Sequence, residues 1–348
     1  MTPKSLVILA GITAVSVIAA TAAVVDRADQ FSTEAKGVSV FPTLADRAND
    51  VAKVIITSHK EKVEVEKGKS GWVMKSKDGY PVDIGKIRRI VAGLATLSRL
   101  EPMTSDPKKY TKLEIEDVTA KDARSKIVAL EDGKGKSMGS VIIGKLELIT
   151  SHANVPGLYI RSPGDKQSWR AEGEIIVPSS AENWLIGRVI DIKKMTVKRI
   201  SFRDEGDKKS AFSVQRNAIG KDFALEPKPK KGALKQSTAK ELEDLLEAVE
   251  LQDVRKKGKI QFTANVRKVE IETFDGLLIK LDVLKLMDKF WVNFNVEATE
   301  DGKESAVKRA LKINKVVQNW TYEIIDWKGD KYITKYKDLI DEKAKAGS

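Results

Sequence analysis

What most constrains this chain is an internal repeat: beyond residue 48 the same succession of short strand patterns and one amphipathic helix occurs twice. In the first copy Val51-Ala-Lys-Val54-Ile-Ile56 alternates as a half-buried strand does. Val63 and Val65 mark a second strand, and Gly71-Trp72-Val73-Met74 a third. A helix pattern follows, with Ile87, Ile90, Val91, Leu94 and Leu97 on one stripe and Asp83 as its N-cap, two residues after Pro81. The strand Lys126-Ile-Val-Ala-Leu130 then runs to Asp132-Gly133, a hairpin turn signal, and Val141-Ile-Ile143 answers it.

The second copy keeps that order. Val197-Lys-Arg-Ile200-Ser-Phe202 starts 146 positions after Val51, Phe212 and Val214 form the next strand, and Asp222-Phe223-Ala-Leu225 the third, with Phe223 in the place of Trp72. Ser237 or Thr238 caps a helix carrying Leu242, Leu245, Leu246 and Val249. Lys268-Val-Glu-Ile271 leads to Asp275-Gly276, and Leu278-Ile-Lys-Leu281 answers. Phe290-Trp-Val-Asn-Phe294 closes the copy as Leu158-Tyr-Ile160 closes the first. Helices for the C-terminal part are predicted over Ser305 to Asn319, with Val307, Leu311, Val316 and Val317, and over Gly329 to Lys345, with Tyr332, Tyr336, Leu339 and Ile340.

This order implies an α+β class: two tandem, similar domains, each an antiparallel sheet with a helix on one face. The expected boundaries are a transmembrane anchor or signal peptide at 1–27, a linker at 28–48, and the first repeat at 49–177. A connector at 178–195, the second repeat at 196–300 and a C-terminal helical segment at 301–348 complete them.

Ahead of the repeats, Ser5 to Val25 holds 21 residues without a charge. Its apolar members are Leu6, Val7, Ile8, Leu9, Ile12, Val15, Val17, Ile18, Val24 and Val25, with alanines between them. As a helix it would span about 31 Å, enough for a hydrocarbon core of roughly 30 Å. Lys4 precedes it, while Asp26, Arg27 and Asp29 follow, so the positive-inside rule points the remainder away from the cytoplasm. A cleaved signal peptide is the competing reading, since Leu6 to Ile18 has the length of its apolar region and Ala20-Thr-Ala22 offers a cleavage site. Either way the chain is exported. A retained anchor puts it in the inner membrane as a single-pass protein with its bulk in the periplasm.

Chemistry is harder to find. With no cysteine in the 348 residues, thiol catalysis, disulfides and Cys-ligated metal centres are excluded. The two histidines, His59 and His152, lack neighbours at metal-ligand spacing, and no serine sits in a nucleophile motif. Gly133-Lys-Gly135 and Gly139 read as a flexible hairpin rather than a phosphate loop. The carboxylates Glu114, Glu116 and Asp117, and Glu241, Glu243, Asp244 and Glu247, read as solvated surface. The net charge of +12 comes from lysines spread along the chain, and only Pro227-Lys-Pro-Lys-Lys231 concentrates them, in an exposed loop. The aromatic-interleaved signature of a nucleic-acid module is absent, so no nucleic-acid partner is expected. Trp72, Trp184 and Trp291 fall in core patterns. Trp320, Tyr322 and Trp327 near the C-terminus are the candidate partner surface, with core packing as the plainer reading. No catalytic, cofactor or metal residues emerge, and no cofactor is expected.

Several of these residues carry a resemblance. Trp72, Asp78-Gly-Tyr80-Pro81-Val-Asp83, Leu100-Glu-Pro102 and Asp106-Pro107-Lys-Lys-Tyr110-Thr-Lys-Leu113 begin it. Ile143-Gly144-Lys145, Gly157-Leu-Tyr159-Ile-Arg161, Trp169, Asn183-Trp184-Leu-Ile-Gly-Arg188-Val-Ile190-Asp191 and Trp320-Thr-Tyr322 continue it. Together they resemble the bacterial family called domain of unknown function 4340, over roughly residues 40 to 340. The resemblance implies a single-anchor envelope protein, encoded in many cases beside ABC-type exporters of the gliding-motility kind, and it brings no catalytic or ligand residues. The expected function is therefore a non-catalytic, membrane-anchored periplasmic accessory or scaffold protein that binds another envelope protein, such as an ABC transporter subunit. The alternative is a binding module for an anionic envelope polymer or a lipid headgroup.

Overall fold

Alternating apolar and polar residues in the first repeat produce one continuous antiparallel sheet. The computed structural model describes residues 37–147, 157–178 and 180–343; the expected anchor and His152 lie outside the described residues. Among the described residues no helix is long and apolar enough to cross a membrane. The chain divides into two units between Leu185 and Ile186.

The strands of the first unit are β1 (Val38–Ser39), β2 (Val51–Ser58), β3 (Lys62–Gly68), β4 (Gly71–Met74), β5 (Tyr80–Pro81), β6 (Ser98–Pro102), β7 (Lys126–Asp132), β8 (Ser137–Glu147), β9 (Gly157–Arg161) and β10 (Ser168–Glu172). They order as β1-β6-β10-β9-β8-β7-β2-β3-β4-β5. Helix α1 (Ile84–Ala95) follows β5 and buries Ile87, Ile90, Val91 and Leu94, the stripe read from the 3.6-residue period. Asp83 caps it, its carboxylate accepting the Gly85 N–H at 2.8 Å. In β8 the neighbours Val141, Ile142 and Ile143 are all buried, although successive side chains point to opposite faces. Both faces must therefore be covered there. Tyr110 and Ile115 pack with Ile142 on one of them, flanked by Leu113, Ile127 and Tyr159.

The second unit is built from β11 (Arg188–Ile190), β12 (Val197–Asp204), β13 (Asp207–Gln215), β14 (Ala224–Glu226), β15 (Ala233–Leu234), β16 (Val249–Lys256), β17 (Val266–Thr273), β18 (Leu277–Leu286), β19 (Lys289–Ala298), β20 (Trp320–Ile324) and β21 (Ile340–Asp341). Nine of these form an antiparallel sheet in the order β11-β16-β20-β19-β18-β17-β12-β13-β14, while β15 and β21 pair separately. Eight strands of each sheet thus run in the same order: β6-β10-β9-β8-β7-β2-β3-β4 answers β16-β20-β19-β18-β17-β12-β13-β14.

The likeness extends to register. Val54 lies opposite Val65 and Leu130, and Ile200 opposite Val214 and Ile271. A bulge interrupts β2 between Val51 and Lys53 and β12 between Val197 and Arg199, at the same 146-residue offset. Met74 pairs with Val65 and Leu225 with Val214, so Trp72 and Phe223 hold equivalent positions, and both are buried. The antiparallel sheets read from the sequence are present as two large sheets, one in each unit.

The helices of the second unit differ from expectation. Helix α2 (Gln236–Glu241) is short, with Lys235 rather than Ser237 or Thr238 at its N-cap. Leu242, Leu245 and Leu246 are buried beyond its end, and Val249 belongs to a strand because Val249, Leu251 and Val254 follow an extended path. Helix α3 (Glu304–Val317) is inserted between β19 and β20, so Trp320–Ile324 completes the second sheet instead of belonging to a separate helical tail. This helix buries Ala306, Ala310 and Val317, whereas Val307, Leu311 and Val316 are exposed. The small residues let its axis approach the sheet closely, and the bulkier ones flank the contact. Helix α4 (Asp326–Tyr332), a helical turn at Tyr336–Leu339 and β21 replace the single last helix.

Candidate anion-binding cleft

The local sequence at one edge of the second sheet alternates charge with stiff or aromatic residues. Strand β13 opens with Asp207-Lys-Lys-Ser and buries Phe212; β14 ends at Glu226, and Pro227-Lys-Pro-Lys-Lys231 leaves the sheet. Two prolines with fixed φ limit how far this loop can rearrange. The Tyr336 hydroxyl donates to the Pro227 carbonyl at 2.9 Å, and the Tyr336 ring stands edge-on to Phe212 at 5.8 Å. Phe212 stacks on Phe202 at 5.0 Å.

Arg267 braces this layer from below. Its guanidinium lies 5.4 and 5.3 Å from the Phe202 and Phe212 rings, donating to Asp204 at 2.9 Å and to the Thr334 carbonyl at 2.7 Å. The C-terminal segment is then fixed by the β15–β21 pair, where Ala233 faces Asp341 and Leu234 faces Ile340. Gly232 has φ +81° and lies so close to the Asp341 carbonyl that a Cβ would sit 2.4 Å from it, so the crossing requires glycine.

Between the proline loop and this segment opens a cavity of about 710 Å³. Lys209, Lys228, Lys230 and Lys231 line it around a floor of Phe212, Tyr336 and Ile340, with Glu342 as the acid. Among the described residues none of the four lysines is paired with a carboxylate, unlike Arg267 and Lys268 beside them. A smaller hollow of about 280 Å³ shares Ala211, Phe212 and Pro227 with it and holds Arg199, Arg203 and Lys268 against Glu226 and Glu270. Lys268 is already engaged by Asp282 at 2.8 Å and Glu205 at 3.1 Å. Burial alone would lower its ammonium, but the two carboxylates hold it above the ordinary lysine value. The larger cavity thus carries a net positive field, four lysines against Glu342, beside apolar side chains, whereas the smaller one is nearly balanced.

The residues singled out from sequence are distributed otherwise. Of the C-terminal aromatics, Trp327 is 52% exposed, with the Lys328 and Lys331 ammonium groups 5.2 and 5.3 Å from its ring. Trp320 is half-buried. Tyr322 is fully buried with its ring edge-on to Phe294, because β20 lies between β16 and β19; it offers no surface to a partner. His59 is exposed at the turn after β2. Among the described residues no group of three or more His, Asp or Glu side chains is gathered as a metal site.

Two carboxylates expected to be solvated are structural. Glu116 is buried and accepts the Arg124 N–H at 2.7 Å. Glu243 is bound by the buried Arg216 at 3.1 Å. The lysine run of the proline loop was visible in the sequence; the approach of Lys209 and of the C-terminal wall was not, because nothing local links residues 209, 228–231 and 336–342.

The family model for Domain of unknown function (DUF4340) matches residues 72–268, more than half of the chain. The chain belongs to the DUF4340 family. No curated protein and no solved structure matches it. The DUF4340 match begins at Trp72 in β4 and ends at Lys268 in β17, so it takes in parts of both units and includes the proline loop. Residues that carry the resemblance hold the fold together: Asp83 caps α1, and Trp184 is buried. The Tyr110 hydroxyl binds the Lys166 carbonyl, and Asp191 accepts the Ala248 N–H at 2.9 Å. That backbone donor holds the Asp191 carboxyl below the usual carboxylate value.

Proposed function

We propose that this DUF4340 protein works by binding rather than by catalysis: a membrane-anchored periplasmic accessory protein whose second unit takes up an anionic component of the envelope, a lipid headgroup or a polymer. The observation that carries this reading is the convergence of four lysines on one cavity, none of them paired with a carboxylate among the described residues. The uncharged segment Ser5 to Val25 supports the location, since it can hold the cleft beside a membrane surface. Association driven by such a field weakens steeply with salt. Binding of the full chain to vesicles containing anionic lipid and to anionic glycans is expected to fall as ionic strength rises. Salt-insensitive or absent binding to both would overturn the proposal.

A second reading is a scaffold that binds another envelope protein, such as an ABC-type transporter subunit. The exposed Trp327, flanked by two lysines, favours it, since a half-exposed tryptophan suits an interface anchor. Under this reading, gently solubilised membranes yield the chain in complex with an envelope partner. Recovery of a lone monomer would count against it.

A further inference from the structure

We infer that the ligand of the lysine cleft is a phosphate-bearing amphiphile, a phosphoryl group attached to an apolar portion. The inference rests on the anionic-ligand reading above and names its chemistry. Charge comes first: four ammonium groups face a single carboxylate, Glu342, so one carboxylate ligand would leave most of the field unanswered. A doubly charged phosphoryl group answers more of it. Geometry comes second. Arginine's rigid fork serves carboxylate and phosphate alike, and lysine ammonium groups, as rotatable point charges, can gather around the several oxygens of a tetrahedral phosphoryl group. The cleft holds lysines only. Arg199 and Arg203 line the neighbouring hollow with Glu226 and Glu270, and Arg267 is held by Asp204 and Thr334.

Size and floor come third. A cavity of about 710 Å³ lies in the range of sites for whole organic ligands and far exceeds what a bare phosphate fills. Phe212, Tyr336 and Ile340 give it an apolar floor that a simple inorganic ion would leave unused. The prolines flanking Lys228, and the Tyr336–Pro227 hydrogen bond, hold the lysine loop in place before a ligand arrives, which lowers the ordering cost of binding.

The test uses the full chain in neutral detergent and three soluble probes: dihexanoyl phosphatidic acid, glucose phosphate and polygalacturonate. Vesicles of phosphatidylcholine with and without phosphatidic acid form the membrane arm. The variant K209Q/K228Q/K230Q/K231Q is compared with K257Q/K308Q/K312Q/K315Q, which removes the same charge from exposed positions elsewhere in the second unit.

Dihexanoyl phosphatidic acid is expected to bind more tightly than glucose phosphate, and the cleft variant to lose about a hundredfold or more in its affinity while the control variant keeps it. Cleft-dependent binding to vesicles as well identifies a lipid headgroup as the source; cleft-dependent binding of the soluble amphiphile alone identifies a free phosphorylated ligand. Equal losses in the two variants would overturn the inference, because the general surface charge would then be responsible. Binding of polygalacturonate without either phosphate would also overturn it while leaving the anionic-ligand reading intact. Failure of every probe removes both.

Discussion

Arg161 and Arg216 show how this chain uses buried charge. Arg161, 3% exposed, donates from Nε to the Ile115 carbonyl at 3.0 Å, from Nη1 to the Asp165 carbonyl at 2.8 Å and from Nη2 to Asp117 at 2.6 Å, over the Tyr110 ring. Arg216 likewise holds the carbonyls of Val197, Lys194 and Met195 together with Glu243. Each guanidinium ties irregular backbone to a sheet, and its removal strands buried acceptors. R161M is expected to lower stability by about 3 kcal/mol, read from denaturant midpoints at unchanged m-value.

Glu147 gives a pH-dependent case. The Arg170 guanidinium at 2.6 Å, joined by the Tyr159 hydroxyl at 3.2 Å, holds its carboxyl below the ordinary value despite partial burial. A carboxyl with a lowered folded pKa contributes stability that is complete above the unfolded value, near 4.3, and is lost as pH falls through the folded value. E147Q is therefore expected to cost about 0.5–1 kcal/mol at neutral pH and to narrow its difference from wild type in acid. Stability curves of the two proteins from pH 7 down to pH 3 check this, and a constant gap would contradict it.

At the scale of elements, close approach explains residues that composition leaves mute. A Cβ on Gly144 in β8 would meet the Leu113 carbonyl at 2.3 Å and the Ile115 side chain at 2.5 Å, so the segment that covers this face can lie flat only over glycine. G144A is expected to lose about 2 kcal/mol and to loosen residues 110–115, visible as faster amide exchange there. In the second unit, the pairing of β20 with β19 ends at Asn293, and Asn314 of α3 supplies both a donor and an acceptor to the backbone of Val296. That side chain does for the inserted helix what a neighbouring strand would otherwise do. The helix was legible from its period, but its buried face was not. The apolar residues Val307 and Leu311 suggested one stripe, while the sheet selected the alanines, because packing distance rather than hydrophobicity decides which side fits.

For the whole molecule, each unit has its own sheet and its own buried residues, which is the ordinary condition for independent folding. Fragments 37–185 and 186–343, produced separately, are expected to unfold cooperatively, each with a near-ultraviolet signature from its buried Trp184 or Trp291. A fragment that lacks a cooperative transition would show that the repeats depend on one another. The sequence by itself determined the duplication, the hairpins at Asp132-Gly133 and Asp275-Gly276, the N-cap at Asp83 and the family, because these rest on local alternation, turn chemistry and spacing. Only the tertiary structure decided that β20 belongs to the second sheet, that Tyr322 is withdrawn from solvent, and that Lys209 meets the proline loop across a cavity lined by Tyr336. Those outcomes join residues distant in sequence, and the energies that select them, burial and close packing across a sheet, have no counterpart in any short stretch of the chain.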